Sequence, residues 1–547
     1  MRYLKWIWLN TLGIRANMAL RVILGFVQVI LGLALVWLCK EFIDITIRTG
    51  TVHDIWTNII LLIAVMLGNI ALRQCYYYMG VEARTRQTNG IRLRIFSKLM
   101  FQRLYEGETL HSGDMVSRLE HDIDQVGDTV TSVIPEALVT CGKLLGAFIL
   151  LHWMDATLAW VLLLATPLFI AFGKLMARQL KSMTHDIRQQ ESHIQMTIQE
   201  SLEHNTILRA LESTSLITTQ VGEMQHELHG KINRRTRFTI VTRTVIALCF
   251  GLGYLFAFIW GGLQLREGAI TLGVMTSFLQ LVGQIQHPVL NLLNAIPQLI
   301  HTAASIDRLT ELEQLQTEEQ QTATGQAAAG QMIQGVCGVT FDNVSFSYAK
   351  GDFPVTAGFT HDFRPGSKTA IMGHTGVGKT TLFRLLLGLA EPTSGTISIY
   401  DDTRRLRINT ETRRYMVFVP QGNTLMSGTV RYNLLLARPD ASDDELRSVL
   451  HIAMADFVMD MPDGLDTILG ERSAGLSEGQ AQRIAIARGL LRPGKILLLD
   501  EISSALDEQT ESELFKRLFE AYPDKTVLMI THRQGVANLC DKIVTLG

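Results

Sequence analysis

Eighteen consecutive residues, VILGFVQVILGLALVWLC (22–39), carry one polar side chain, Gln28, and no charge. A helix of that composition has no face to show water, so it belongs in a bilayer, where its backbone groups are satisfied within the segment. Five further apolar stretches follow, at about 55–72, 133–153, 157–176, 242–263 and 272–300. Several fall short of the roughly 20 residues that cross a hydrocarbon core, and their flanks extend them into longer helices. With 547 residues, 47% of them apolar, the chain is too long for one ordinary domain and too apolar for a soluble protein. Its net charge of −2 gives no electrostatic footprint for nucleic acid. The six cysteines are scattered, with no CxxC and no companion histidines at metal spacing, and read as small apolar residues.

Charge in the connections orients the spans. Arg73, Arg84, Arg86, Arg92, Arg94, Lys98 and Arg103 follow the second stretch, and Lys174, Arg178, Lys181 and Arg188 begin an equally basic connection after the fourth. The turn HWMDAT has no Lys or Arg, and QLREG has only Arg266. By the positive-inside rule the long basic connections and both termini are cytoplasmic, as in a multi-pass protein of the cell (inner) membrane. Those connections are amphipathic with helical period, as in MVSRLEHDIDQVGDTV (115–130), so helices continue below the membrane. MRYLKWIWLN at the start has no cleavage pattern and suits the membrane surface, with Trp6, Trp8 and Lys5 at headgroup level. Within the third stretch, Glu136 and Lys143 are candidates to line a cavity, although Lys143 reads equally as a snorkelling or locally paired side chain.

Residues 313–335, EQLQTEEQQTATGQAAAGQMIQG, have no apolar period and read as a linker between a transmembrane domain at 1–312 and a globular domain at 336–547. In the latter, VTFDNVSFSY alternates like a strand, KTAIMG is a short buried strand and KTTLFRLLLGL a helix. Between the last two lies Gly373-His374-Thr375-Gly376-Val377-Gly378-Lys379-Thr380, a match to G-x-x-x-x-G-K-[ST], followed by Thr381. Glycines let backbone N–H groups curl around phosphate oxygens at a helix N-terminus, Lys379 neutralises the β- and γ-phosphates, and the Thr380 hydroxyl suits Mg²⁺. KILLLDE (495–501) delivers two carboxylates to the same sheet edge: Asp500 for Mg²⁺ through water, Glu501 to polarise an attacking water. Gln421, after YMVFVP, reads as a loop filler or as a group that senses Mg²⁺ and the attacking water. His532, after KTVLMIT, reads as a surface histidine or one reaching the γ-phosphate. Tyr348 reads as a half-buried strand tyrosine or a ring on which adenine stacks.

A second anion site is written further on. In SAGLSEGQ (473–480), Ser477 opens a helix, with Gly479 and Gln480 in its first turn; Ser477-x-x-Gln480 is also a plain capping box. Phosphate loop, Gln421, LSEGQ, LLLDE, SALD (504–507) and His532, in that order, resemble the ATP-binding cassette ATPases over essentially all of 336–547. The resemblance extends into the membrane half and is to the exporter type. SGDMVSRLEHDID (112–124) and QESLEHNTILRALES (199–213) are similar to its two coupling segments, 268–312 to the last span and its exit, and GERSAGLSEGQ to its signature. LSEGQ departs from the family's commoner glycine at Glu478, setting a carboxylate beside a phosphate site.

The resemblance implies an all-α six-helix transmembrane domain followed by an α/β P-loop ATPase domain with a helical subdomain. It also implies ATP and Mg²⁺ as ligands, and two ATPase domains stacked head to tail, so that Ser477 and Gly479 bind the γ-phosphate of the partner's nucleotide. Gly470-Glu471-Arg472 would contact the coupling segments. One phosphate loop and one signature make half of two sites, so a second half-transporter is required; a homodimer is the simpler expectation and a heterodimer the other. Membrane lipid and a transported lipid, drug-like molecule or peptide are the further partners. Two alternatives stand beside export: an importer on the same fold, and an ATP-gated channel or regulatory subunit.

Overall fold

In a bilayer the backbone must satisfy itself, and the first half of the chain does so almost wholly as helix. The computed structural model describes residues 2–47, 50–102, 112–315, 317–318, 333–348, 355–374, 376–470 and 475–546. A short helix α1 (Arg2–Asn10) precedes α2 (Arg15–Glu41), α3 (Val52–Met100), α4 (Ile134–Met154), α5 (Ala156–Glu203), α6 (Thr214–Arg266) and α7 (Leu272–Gln314). Among the described residues, four segments are long and apolar enough to cross a membrane: Arg15–Thr46, Val52–Met100, Gly113–Met154 and Thr214–Arg266. The other two expected spans lie in α5 and α7, where some side chains (162–175 among them) fall outside those described. Contacts divide the chain into Met1–Ser97 with Ser112–Glu313, and Lys98–His111 with Gln314–Gly547.

Within the first unit, the segment leading into α4 is zipped to α7 by polar side chains. Thr302, Ser305, Arg308 and Glu311, three residues apart on α7, form one stripe. Thr129 and Thr302 hydroxyls meet at 2.6 Å. Asp122, 6% exposed, accepts from Ser305 Oγ at 2.9 Å and from Arg308 Nε at 2.7 Å. Arg118 donates to the Arg308 carbonyl at 3.0 Å and to Glu311 at 2.8 Å. Two π-turns, Arg118–Asp122 and Thr129–Val133, interrupt the α-helical runs here. Each adds a residue to a turn and so re-aims the side chains after it. Higher up, Glu136, Thr140 and Gln298 help line a hollow of about 160 Å³ between α4 and α7.

The N-terminus differs from the expectation. Trp8 is 63% exposed and stacks under Arg15, as an interfacial ring should, but Trp6 is 8% exposed and donates Nε1–H to Glu313 at 2.9 Å. Positions 6 and 8 of one helix point roughly 200° apart, so one ring faces protein when the other faces out.

In the second unit, β1 (Gly338–Phe346), β2 (Thr356–Phe363), β4 (Ser394–Tyr400) and β5 (Arg405–Arg407) form an antiparallel sheet in the order β2-β1-β4-β5. The central sheet is parallel, in the order β11-β3-β10-β9-β6, from β3 (Lys368–Gly373), β6 (Met416–Val419), β9 (Ile496–Asp500), β10 (Thr526–Ile530) and β11 (Lys542–Leu546). A two-strand pair, β7 (Gly428–Thr429) with β8 (Ile468–Leu469), sits beside helices α9 (Val430–Leu435), α10 (Asp443–Ile452) and α11 (Glu478–Leu490). The phosphate loop enters α8 (Lys379–Leu386); α12 (Glu508–Ala521) follows β9. Every residue of β9 is buried, and Ile496 through Leu499 are wholly so. Burying four such side chains contributes about 6–12 kcal/mol as an upper bound.

Asp122→Ala strands Arg308 and Ser305 without their acceptor, a cost of about 1–3 kcal/mol. A melt of the full chain in detergent is expected to shift down by several degrees. Asp124→Ala, which breaks the half-exposed pair with Arg92, costs only about 0–1 kcal/mol and serves as the control.

Candidate functional site

Parallel strands present all their carboxyl ends at one edge, and in open α/β sheets that edge is where ligands gather. Here β3, β10, β9 and β6 lie side by side and are followed by the phosphate loop, His532, Glu501 and Gln421 respectively. The four side chains form a continuous row in strand order. Gln421 Nε2 donates to Glu501 Oε2 at 2.8 Å, Glu501 Oε1 lies 2.9 Å from His532 Nε2, and that nitrogen lies 3.1 Å from Lys379 Nζ. Glu501 is partly exposed and has a φ of +47°, a left-handed conformation unusual for a residue with a side chain. Such conformations persist where the surroundings hold them, and they cluster at functional sites.

The phosphate loop is shaped by its glycines. Gly376 and Gly378 have φ of +89° and +97°, and a Cβ on Gly378 would meet Val355 Cγ1 at 2.6 Å. The Lys379 ammonium, 6% exposed as a residue, turns back to the carbonyls of Gly373 at 2.9 Å and His374 at 3.1 Å. It is thus a nearly desolvated cation at the mouth of a helix N-terminus, and both features attract anionic oxygens. Val377 N–H closes the turn onto His374 O at 3.3 Å. Thr375 lies outside the described residues, as do Glu471 and Arg472 of the GERSAGLSEGQ stretch.

Asp500 fits a divalent cation. It ends β9 at 2% exposure, is hydrogen-bonded by the Thr380 hydroxyl, and leaves Oδ1 buried without a partner. Burial pushes its carboxyl above the ordinary 3.8, against the pull of Thr380 and Lys379. An orphaned carboxylate oxygen beside a threonine hydroxyl is the hard-oxygen donor set Mg²⁺ takes, with water completing it. Gln421 instead spends its amide N–H on Glu501, leaving its carbonyl oxygen as a candidate ligand.

Tyr348 lies at the edge of this group. Its hydroxyl meets Thr381 Oγ1 at 3.2 Å and accepts from Arg384 at 3.1 Å, which ties the ring to α8. Phe346 packs edge-on against it at 4.9 Å.

Ser477, Gly479 and Gln480 open α11 and make no hydrogen bond to the phosphate loop among the described residues. Ser477 Oγ accepts from Gln480 N at 3.2 Å, and Gln480 Oε1 accepts from Ser477 N at 2.9 Å, so the capping box is complete. Gly479 is required by close packing, since a Cβ there would sit 2.8 Å from the Ala505 carbonyl. Two neighbours escaped the sequence analysis. Gln482 donates to the Glu501 carbonyl at 3.3 Å, and Arg533 donates to Leu506 O at 2.9 Å and Ser504 O at 3.3 Å. Gln482 had a signal: it shares a helix face with Ala485 and Ile486, a polar residue where only apolar ones belong.

Residues 357–504 match the family described as ABC transporter, and residues 18–289 that described as ABC transporter transmembrane region. Among similar proteins is one named for multidrug export, the ATP-binding/permease protein YgaD of Bacillus subtilis, 27% identical over 96% of this chain and 91% of its own length. An export ATP-binding/permease protein of Rickettsia felis is 27% identical over 89% of this chain and 84% of its own. The human mitochondrial potassium channel ATP-binding subunit is 28% identical over 84% of this chain, which spans 63% of that protein. The transmembrane family match, the ATPase match fused to it and these relatives agree: the chain belongs to the ABC transporters, as a half-transporter of the exporter type.

Proposed function

We propose that two copies of this chain form an ATP-driven exporter in the cell (inner) membrane, with the ATPase domains and both termini in the cytoplasm. Six spans at 1–312 and an ATPase domain at 336–547, joined by a linker at 313–335, make one half. The observation that carries the reading is the row Gln421–Glu501–His532–Lys379 at the carboxyl edge of the parallel sheet. The row has a base, a cation and two positioning groups, yet the other anion-holding element, Ser477 to Gln480, makes no hydrogen bond to it among the described residues. A second copy supplies that element, closing Ser477 and Gly479 over ATP held by the loop Gly373–Thr381 of the first. The proposal extends to lipids, drug-like molecules or peptides as substrates, and names of relatives such as multidrug export support it.

On binding, Lys379 exchanges the carbonyls of Gly373 and His374 for β- and γ-phosphate oxygens, and Tyr348 supports the adenine end. Mg²⁺ held by Thr380, Asp500 and Gln421 would neutralise charge on those oxygens. Glu501 trades its bond with Gln421 for one to the attacking water, and His532, on the other carboxylate oxygen, holds that orientation toward the γ-phosphate. Hydrolysis frees the phosphate both copies grip, and the segments at 112–124 and 199–213 carry the opening to the spans. The channel-subunit relatives favour a second reading, in which ATP binding gates without turnover. The hydrogen-bonded Glu501 and His532 weigh against it, because a gate needs no base.

Glu501→Gln is expected to lower ATP hydrolysis by the lipid-reconstituted chain about 100-fold or more while ATP still binds. Ser477→Arg should abolish turnover and leave binding to the isolated loop side intact. A wild type that binds ATP and turns none over would move the gating reading ahead.

A pH series tests Asp500. Its raised carboxyl means the folded chain holds that proton more tightly than the unfolded chain, so this group's contribution falls as pH rises from 3.8 through the raised folded value. Without Mg²⁺, Asp500→Asn should therefore melt higher than wild type at neutral pH, with the gap closing toward pH 3.8. A gap that widens on acidification contradicts the assignment.

A further inference from the structure

We infer that Gln482 is a positioning residue for Glu501, tying the signature helix and the hydrolytic carboxylate of one chain into a single moving piece. The inference rests on the dimeric ATPase reading above.

The side chain itself is the first argument. Gln482 is 1% exposed on the apolar face of α11, and its Oε1 is buried without a partner. Leaving that acceptor unsatisfied is costly, so an apolar residue would serve packing better. What the amide supplies is one bond, from Nε2 to the Glu501 carbonyl at 3.3 Å. That bond lands on the residue at φ +47°, whose N–H is in turn fixed to Ile530 O of β10 at 3.1 Å. The left-handed backbone that aims the Glu501 carboxylate is therefore held from one side by the sheet and from the other by the signature helix.

A second contact runs between the same two elements. Gly479 packs against the Ala505 carbonyl so closely that a Cβ would stand 2.8 Å from it. Arg533, next to His532, grips the carbonyls of Ser504 and Leu506 and pairs with the buried Glu511 at 3.1 Å. Residues 501–506 are thus clamped between α11 and the segment after β10. When Ser477 and Gly479 close on the partner's nucleotide, α11 cannot shift without shifting Glu501, which serves the chain's own nucleotide. In a head-to-tail dimer those are the two different sites, so Gln482 couples them.

The test uses the full chain in lipid nanodiscs. Gln482→Met keeps length and volume but has no donor. The inference predicts ATP Kd and KM within about twofold of wild type and kcat lowered about 10- to 100-fold, since misplacing a catalytic group costs turnover rather than binding. Cooperativity of hydrolysis in ATP should fall toward a Hill coefficient of about 1. In a Glu501→Gln background, where no carboxylate remains to be aimed, Gln482→Met should leave nucleotide trapping unchanged. A merely structural role would reduce trapping there as well and lower the melting temperature, and that result overturns the inference. So does a Gln482→Met kcat within about twofold of wild type. A wild type without ATPase activity sinks the dimeric reading and this inference together, whereas an active wild type with an unaffected Gln482→Met sinks this inference alone.

Discussion

Parallel register in the central sheet is the constraint on which the candidate site depends. Because β6, β9, β10 and β3 run the same way and lie side by side, their carboxyl ends fall in line. Gln421, Glu501, His532 and Lys379 are far apart in sequence and become neighbours only through that register. The strands can be so arranged because β9 and β10, apolar but for Asp500 and Thr526, are buried along their whole length. Burial then acts on the chemistry. It raises the Asp500 carboxyl, and it places the Lys379 ammonium where carbonyls must hold it. Asp500 Oδ1 is left without a partner, which Mg²⁺ would supply, and Lys379, hydrogen-bonded but buried, would gain opposite charge from phosphate oxygens.

The membrane unit follows from a different constraint. With no water for the backbone, its described residues form long helices, which pack in part around an apolar cluster that includes Val36, Leu151, Leu158, Phe278 and Leu281. Beyond the expected spans, a polar stripe on α7 meets Thr129, Asp122 and Arg118 and ties the helical extensions together.

Much of this was legible in the sequence because the signals were local. Apolar runs, the glycine-rich loop between strand and helix, and LLLDE each carry their meaning within a dozen residues. The capping box at Ser477 was legible as well, and the expectation that it also meets a partner's nucleotide came only from family resemblance. What stayed hidden depends on neighbours distant in the chain. Trp6 and Trp8 look alike in sequence, and only α7 distinguishes them by offering Glu313 to one. The π-turns at Arg118–Asp122 and Thr129–Val133 leave no residue pattern in the sequence. Gln482 carried a readable oddity, a polar side chain on an apolar face, but its acceptor is a carbonyl on another strand's end.

The central claim is that each ATP site is built from two copies. Mixing two inactive chains tests it most directly: Lys379→Ala, which lacks the phosphate-loop cation, with Ser477→Arg, which blocks the signature. Co-reconstituted, they form mixed dimers in which one site has an intact loop from one chain and an intact signature from the other. The account predicts that neither variant hydrolyses ATP alone and that the mixture does. A mixture as inactive as its parts, beside an active wild type, would contradict the shared site, as would full activity in either variant by itself.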